Sequence, residues 1–118
     1  MNDSDNNIKI GAYVYPGWHA CAERDSKFPP GWSEWDLVLN APKRFSDHNQ
    51  PRLPADGSYD DSVCATAQKQ VGLARKYGVD FFVHSFFWSR GKRVFEAALD
   101  NGFLGADGGG DFPFSLMW

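Results

Sequence analysis

The stretch VDFFVHSFFW, residues 79–88, carries the clearest indication of the fold class. It is mostly apolar and shows little alternation, as expected for a parallel strand that is covered on both faces. A predicted helix over residues 61–77 precedes it, with Asp60-Asp61-Ser62 as capping residues and Gly78 at its end. The apolar stripe of this helix consists of Cys64, Ala67, Val71 and Ala74. A helix followed directly by a buried strand is typical of an α/β fold.

Two more strands and a second helix are predicted on either side of this core. Alternation over residues 8–15 indicates a first strand, residues 92–101 are predicted to form a helix, and residues 112–118 are predicted to form a third strand. Right-handed crossovers between neighbouring parallel strands place both helices on one side of the sheet. The other side is left bare, whereas in a closed (β/α) barrel of about 250 residues it becomes the interior. We therefore predict an α/β fold that is the N-terminal part of a (β/α)8 barrel.

The predicted domain organisation has a disordered polar tail, residues 1–7, followed by an incomplete barrel domain, residues 8–118. The segment between the first strand and the first helix, residues 16–58, is long, rich in Pro, Gly, Trp and Asp, and too aromatic for disorder. We predict a folded loop on the functional side of the barrel. A short helix from Glu34 to Ala41 is expected within it, with Ser33 as its cap and Asp36 as the reciprocal acid.

Composition excludes several classes of protein. The chain of 118 residues has 12 Lys and Arg against 15 Asp and Glu, and these charges are scattered, so there is no basic surface for nucleic acid. No apolar stretch approaches the ~20 residues that span a bilayer, and the start of the chain does not resemble a signal peptide. These features predict a cytoplasmic protein. Cys21 and Cys64 lie far apart in the sequence and are expected to be free thiols.

The functional face of a (β/α) barrel lies where the strands end, so the residues that follow each strand are the candidates for binding. These are Tyr15, Trp18 and His19 after the first strand, and His84, Phe87 and Trp88 at the end of the second. Aromatic rings among polar side chains suit a sugar, because its C–H faces stack on rings and its hydroxyls need hydrogen-bond partners. Each of these rings has an alternative role in ordinary core packing.

Other chemistry is weakly indicated. Glu34 and Asp36 are carboxylates of the type that cleaves glycosidic bonds, but they lie in an early loop rather than at a strand end. The three histidines have no metal-ligand spacing, so no metal is expected. No glycine-rich turn follows the first strand, which argues against a nucleotide-binding fold and predicts no cofactor.

Seven segments, in this order along the chain, resemble the WbsX-type glycosyltransferases, which are related to glycoside hydrolase family 99-like (β/α) barrels. The resemblance begins at Ile10 and covers nearly all of the chain that follows. The segments are GAYVYPGWH (11–19), GWSEW (31–35), HNQPRLP (48–54), YDD (59–61), Gln70 with LA (73–74) and YGV (77–79), FFW (86–88) with GKRVFE (91–96), and FPF (112–114) with Trp118.

The resemblance implies an enzyme that cleaves or transfers glycosyl groups on mannose-like or cell-surface polysaccharide glycans. It implies that the sugar-facing rim contains Tyr15, His19, Trp35, His48, Gln50 and Trp88. It also implies that the catalytic acids lie on later strands, beyond Trp118, so that these residues alone are expected to be inactive. The alternative is a non-catalytic sugar-binding or assembly module whose bare sheet face is covered by a partner or by self-association.

Overall fold

The computed structural model describes residues 7–118, which form five strands and four helical segments. In chain order they are β1 (Gly11–Val14), α1 (Ala22–Asp25), α2 (Glu34–Leu39), α3 (Cys64–Lys76), β2 (Phe81–Ser85), β3 (Phe87–Ser89), β4 (Lys92–Val94), α4 (Ala98–Phe103, a π-helix) and β5 (Phe114–Met117). The disordered tail predicted over residues 1–7 lies, apart from Asn7, outside the described residues.

The main sheet has three parallel strands in the order β1-β2-β5. Gly11 pairs with Phe81, and Phe82 in turn pairs with Phe114. The prediction of three parallel strands that neighbour one another in chain order is therefore confirmed. The strands are shorter than predicted, since β1 spans Gly11–Val14 rather than residues 8–15, and β2 spans Phe81–Ser85 rather than residues 79–88.

One face of this sheet is covered by helices α3 and α4, which also pack against each other. The core contains the predicted stripe residues Ala67, Val71 and Ala74 of α3, joined by Phe82, Leu99, Phe103 and Phe112. Ala12 and Val14 of β1 pack against the same cluster. Both helical segments thus lie on one side of the sheet, as the connectivity predicted.

Helix α3 begins three residues later than predicted. Val63 is its N-cap and provides no side-chain hydrogen bond, so the expected capping by Asp60-Asp61-Ser62 is wrong. Asp61 instead points away from the helix and is buried against the loop after β1. The C-terminal prediction is confirmed, since Gly78 follows the helix with a φ of +82° that only glycine adopts without strain.

A β-hairpin replaces the N-terminal part of the helix predicted over residues 92–101, and it also ends the strand predicted over 79–88. Strands β3 and β4 pair antiparallel, with Phe87 opposite Val94. Arg90 (φ +52°) and Gly91 (φ +82°) form the left-handed pair at its tip, a geometry that joins two strands tightly. Helical structure begins only at Ala98, as the π-helix α4. The apolar spacing of Val94, Phe95, Ala98 and Leu99 suggested one helix. Val94 instead pairs with β3, and only Ala98 and Leu99 are helical.

Helix α4 lies very close to the segment before α3. A Cβ atom added at Gly102 would collide with the backbone carbonyl oxygen of Asp61, so this approach requires glycine.

The other face of the sheet is open. Tyr13 is 77% exposed and Met117 is 44% exposed on this face, while the ring of Phe81 lies over Gly11. Within residues 7–118, no helix is long and apolar enough to cross a membrane.

Candidate functional site

The loop after β1 and the β3–β4 hairpin enclose a cavity of about 630 Å³ near the C-terminal end of the parallel strands. This is the end where α/β sheets usually bind their ligands. The loop contributes helix α1 and the start of α2, and the hairpin contributes its tip and the residue that follows it. The lining residues are Tyr15, Ala22, Glu23, Arg24, Ser26, Lys27, Phe28, Trp32, Glu34, Ser89, Arg90, Lys92, Val94 and Phe95.

Arg24 organises the wall of this cavity. Its side chain is buried, and its Nη2 donates to Glu34 Oε1 at 2.9 Å and to Tyr15 Oη at 3.1 Å, while its Nη1 donates to the carbonyl of Gly17 at 2.8 Å. Tyr15 Oη in turn donates to Glu34 Oε1 at 3.1 Å. A buried cation is tolerated because each contact is charge-assisted or to a backbone dipole. The network ties the end of β1 to helices α1 and α2.

Aromatic rings surround the guanidinium group of Arg24. It lies 4.2 Å from the ring centroid of Phe95 and 5.1 Å from that of Trp32, and Phe28 stacks on Trp32 at 4.2 Å. Cation–π contacts of this kind become stronger as the cation is desolvated. Phe95 reaches this position with a φ of +60°, an unusual conformation for a bulky residue. The cavity therefore combines ring surfaces with a rigid, polar carboxylate and guanidinium pair.

The hydroxyl of Tyr15 is held in its neutral form. Burial raises the pKa of Tyr15, and the neighbouring negative charge of Glu34 raises this pKa further. At neutral pH the hydroxyl therefore remains a hydrogen-bond donor to Glu34.

A second aromatic group, Trp18, Trp35 and Tyr59, lies beside Tyr15. The Trp18 and Trp35 ring centroids are 4.4 Å apart, and those of Trp35 and Tyr59 are 5.1 Å apart. Trp35 Nε1 donates to the carbonyl of Tyr59 at 2.6 Å, so its polar edge is already paired. The capping box predicted for Ser33 and Asp36 is confirmed, and it orients the first turn of α2 that carries Trp35.

His19 and Asp61 form a buried pair. His19 Nδ1 lies 2.6 Å from Asp61 Oδ1, and Asp61 Oδ2 accepts from the backbone N–H of Trp18 at 3.1 Å. A carboxylate at this distance holds the proton on Nδ1. His19 Nε2 is buried and, among the described residues, has no hydrogen-bond partner. The pair connects the loop after β1 to the start of α3.

His84 lies on the helix side of the sheet rather than at its rim. Its ring packs 4.6 Å from that of Phe103 and 5.8 Å from that of Phe114. Burial lowers the pKa of His84 from 6.5 to about 4. It is therefore a neutral core residue at pH 7.

The structure places the six predicted rim residues in three regions. Tyr15, His19 and Trp35 come together after β1. Trp88 is 56% exposed on the outer side of the hairpin, where Trp118 stacks on Phe86 at 5.2 Å and lies 6.4 Å from Trp88.

His48 and Gln50 lie elsewhere in the long loop. His48 stacks on Phe45 at 4.5 Å, and its carbonyl accepts from Gln50 N at 2.9 Å. Within residues 7–118, no hydrogen bond or ring stacking joins His48 or Gln50 to the other four.

Sequence reasoning missed Arg24, Asp61 and Phe95. Arg24 stands between Glu23 and Asp25 in an apparently ordinary polar stretch, so only its burial reveals it. Phe95 was interpreted as part of a helix, and Asp61 as a cap. The described residues bring no three His, Cys, Asp or Glu side chains close enough to hold a metal ion.

The described residues thus define an α/β protein with a parallel three-stranded sheet and an aromatic, charge-lined cavity near the ends of its strands. Residues 10–118 match the family model described as "Glycosyltransferase WbsX", and the chain belongs to this family. The family's description points to carbohydrate chemistry, and the predicted resemblance is confirmed.

Two relatives that the chain matches are much longer than the chain itself. The chain is similar to the uncharacterized protein WxcX of Xanthomonas campestris pv. campestris, in strains B100 and ATCC 33913. In each case the identity is 35% over 108 residues, which is 91% of this chain and 15% of WxcX. No solved structure matches the chain.

Proposed function

We propose that this chain forms part of the glycan-binding wall of an enzyme that transfers or hydrolyses glycosyl groups on mannose-like or cell-surface polysaccharide glycans. The supporting observation is the cavity of about 630 Å³, with its rings and its Arg24–Glu34 pair. Phe28 is 44% exposed and offers a surface for the C–H face of a sugar, while Glu34 offers an acceptor for its hydroxyls. The proposed scaffold is the N-terminal part of a (β/α) barrel similar to the family 99-like glycoside hydrolases.

The carboxylates of the cavity argue for a binding role rather than a catalytic one. Glu34 is paired with Arg24 at 2.9 Å, and Glu23 lies 3.6 Å from Lys92. Asp36 is engaged in the capping box of α2. We therefore propose that the catalytic acids belong to other parts of the whole protein, of which relatives contain much more than this chain. Of the rim residues predicted from the sequence, Tyr15, His19 and Trp35 are proposed to support the wall, and Trp88, His48 and Gln50 to contribute further contacts.

Phe28→Ala is expected to weaken sugar binding about two- to twelve-fold, because a lost ring stack is worth about 0.5–1.5 kcal/mol. The measurement is an NMR titration of the chain with mannose, glucose and their oligosaccharides. Tyr77→Ala is the matched control, since Tyr77 is an exposed ring just after α3, at the start of the segment that leads into β2. If none of these sugars shifts the resonances of the cavity residues, the proposed function is wrong.

A second candidate, a sugar-binding or assembly module, is favoured by the open face of the sheet. If it is correct, the chain is expected to self-associate and to bind a hydrophobic dye through this face. Tyr13→Glu should reduce both effects, because it places a charge at a side chain that is 77% exposed there. Tyr77→Glu, at a ring that is 72% exposed outside this face, should not. Sedimentation velocity checks this, and a monomer without dye binding counts against the module. The cytoplasmic location stays a prediction.

A further inference from the structure

The charges that line the cavity differ from those of the chain as a whole. The chain carries more Asp and Glu than Lys and Arg, 15 against 12. The cavity, in contrast, is lined by four cationic side chains, Arg24, Lys27, Arg90 and Lys92, and by two carboxylates, Glu23 and Glu34. The cavity is therefore cationic in an acidic chain, and such a concentration of one sign of charge attracts ligands of the opposite sign.

Both carboxylates of the cavity are already paired. Arg24 engages Glu34 at 2.9 Å, and Lys92 lies 3.6 Å from Glu23. Within residues 7–118, no carboxylate lies within ion-pair distance of Lys27 or Arg90. Two positive charges, one from the loop after β1 and one from the hairpin, thus remain available to a ligand.

The backbone of the hairpin holds one of these charges in an unusual conformation. Arg90 has a φ of +52° at a turn position where Asn, Asp or Gly is preferred. Phe95, also on the cavity wall, has a φ of +60°. Two of the three left-handed residues other than glycine in the described chain therefore line one cavity, and backbone strain of this kind is concentrated at ligand sites.

We infer that the cavity binds a sugar that carries an anionic group, a carboxylate or a phosphate, with Lys27 and Arg90 as the residues that recognise its charge. This inference rests on the proposed function and specifies its substrate class. The rings stack on the sugar, and the Arg24–Glu34 pair forms hydrogen bonds with its hydroxyls. Lys27 and Arg90 form ion pairs with its anionic group. A uronic acid within a glycan and the phosphate of a glycosyl donor share this chemistry.

Three probes with the same sugar ring separate these sources: glucose, glucuronate and glucose 1-phosphate. In calorimetric or NMR titrations of the chain at about 20 mM salt, where exposed charges are poorly screened, at least one acidic probe should bind about ten-fold more tightly than glucose. Preference for glucuronate indicates an acidic glycan, and preference for glucose 1-phosphate indicates a donor.

The double variant Lys27→Gln/Arg90→Asn should abolish this preference, because it removes both positive charges of the cavity that have no carboxylate partner among the described residues. Asn suits the left-handed turn position, so the fold is retained. The control variant Arg75→Gln/Lys76→Gln also removes two positive charges, but at the end of α3. It should preserve the preference for the acidic probe. Equal binding of all three probes overturns the inference. So does a preference that survives Lys27→Gln/Arg90→Asn, or one that is lost in Arg75→Gln/Lys76→Gln. Each of these results leaves the proposed function intact. Failure of every probe to bind overturns both.

Discussion

Asp61→Ala is expected to lower the free energy of unfolding by about 3 kcal/mol, because a buried donor and a partly buried donor lose their acceptor together. The carboxylate of Asp61 accepts hydrogen bonds from His19 Nδ1 at 2.6 Å and from the backbone N–H of Trp18 at 3.1 Å. The backbone carbonyl of Asp61 contacts Gly102. Asn at this position should have an intermediate effect, since its amide oxygen can satisfy only one of the two donors. Urea denaturation followed by tryptophan fluorescence measures the difference.

Asp60→Ala is the control for this prediction. Asp60 is exposed, and its carboxylate accepts from the N–H and hydroxyl of Ser62 in a local turn. Its loss should change the free energy of unfolding by less than about 1 kcal/mol. If Asp61→Ala were no more destabilising than Asp60→Ala, the His19–Asp61 pair would not be the connection that holds the loop to the helix layer.

The second large effect is a loss of stability in acid that depends on His84. Burial lowers the pKa of His84 from 6.5 to about 4 in the folded chain, so between these values the unfolded chain binds a proton that the folded chain does not. Above pH 6.5 His84 therefore does not reduce the free energy of unfolding. As the pH falls from 6.5 toward 4, the free energy of unfolding decreases, because protonation favours the unfolded chain. Integrated over this window, the loss attributable to His84 is up to about 3 kcal/mol.

His84→Leu should remove this part of the pH dependence, because Leu does not titrate and fits a site lined by Phe103 and Phe114. The measurement is the difference in unfolding free energy between pH 7 and pH 4.5 for the variant and the unmodified chain. His48→Leu, in the long loop, should leave the difference as it is in the unmodified chain. If the free energy of unfolding of His84→Leu fell as much between pH 7 and pH 4.5 as that of the unmodified chain, the prediction would be wrong, because His84 would then not cause the acid dependence.

Some predictions from the sequence depended on local rules and are confirmed. The stripe of α3 and the Gly78 stop follow from helical periodicity and from the freedom of glycine at positive φ. The capping box of Ser33 and Asp36 is closed by hydrogen bonds between residues two and three positions apart. The predicted helix over residues 92–101 was wrong in its first half, because the same apolar spacing also fits a hairpin.

The candidate site was only partly predictable. Tyr15 and His19 were identified because they follow the first strand, and Trp35 was identified by the resemblance to the family. Their roles depend on partners far away in the sequence, such as Asp61, which lies 42 residues from His19. Nothing near Arg24 in the sequence indicates that its guanidinium is buried between Phe95 and Trp32.

The sequence by itself determined the parallel α/β character of the chain, its first long helix and its family, because periodicity, caps and ordered motifs are properties of neighbouring residues. The tertiary structure alone decided that Arg24 is buried, that Asp61 anchors a loop, and that Lys27 and Arg90 face one cavity. The physical reason is that burial and charge pairing depend on which segments meet in space. Segments separated by tens of residues meet only when the whole sheet and its helix layer have formed.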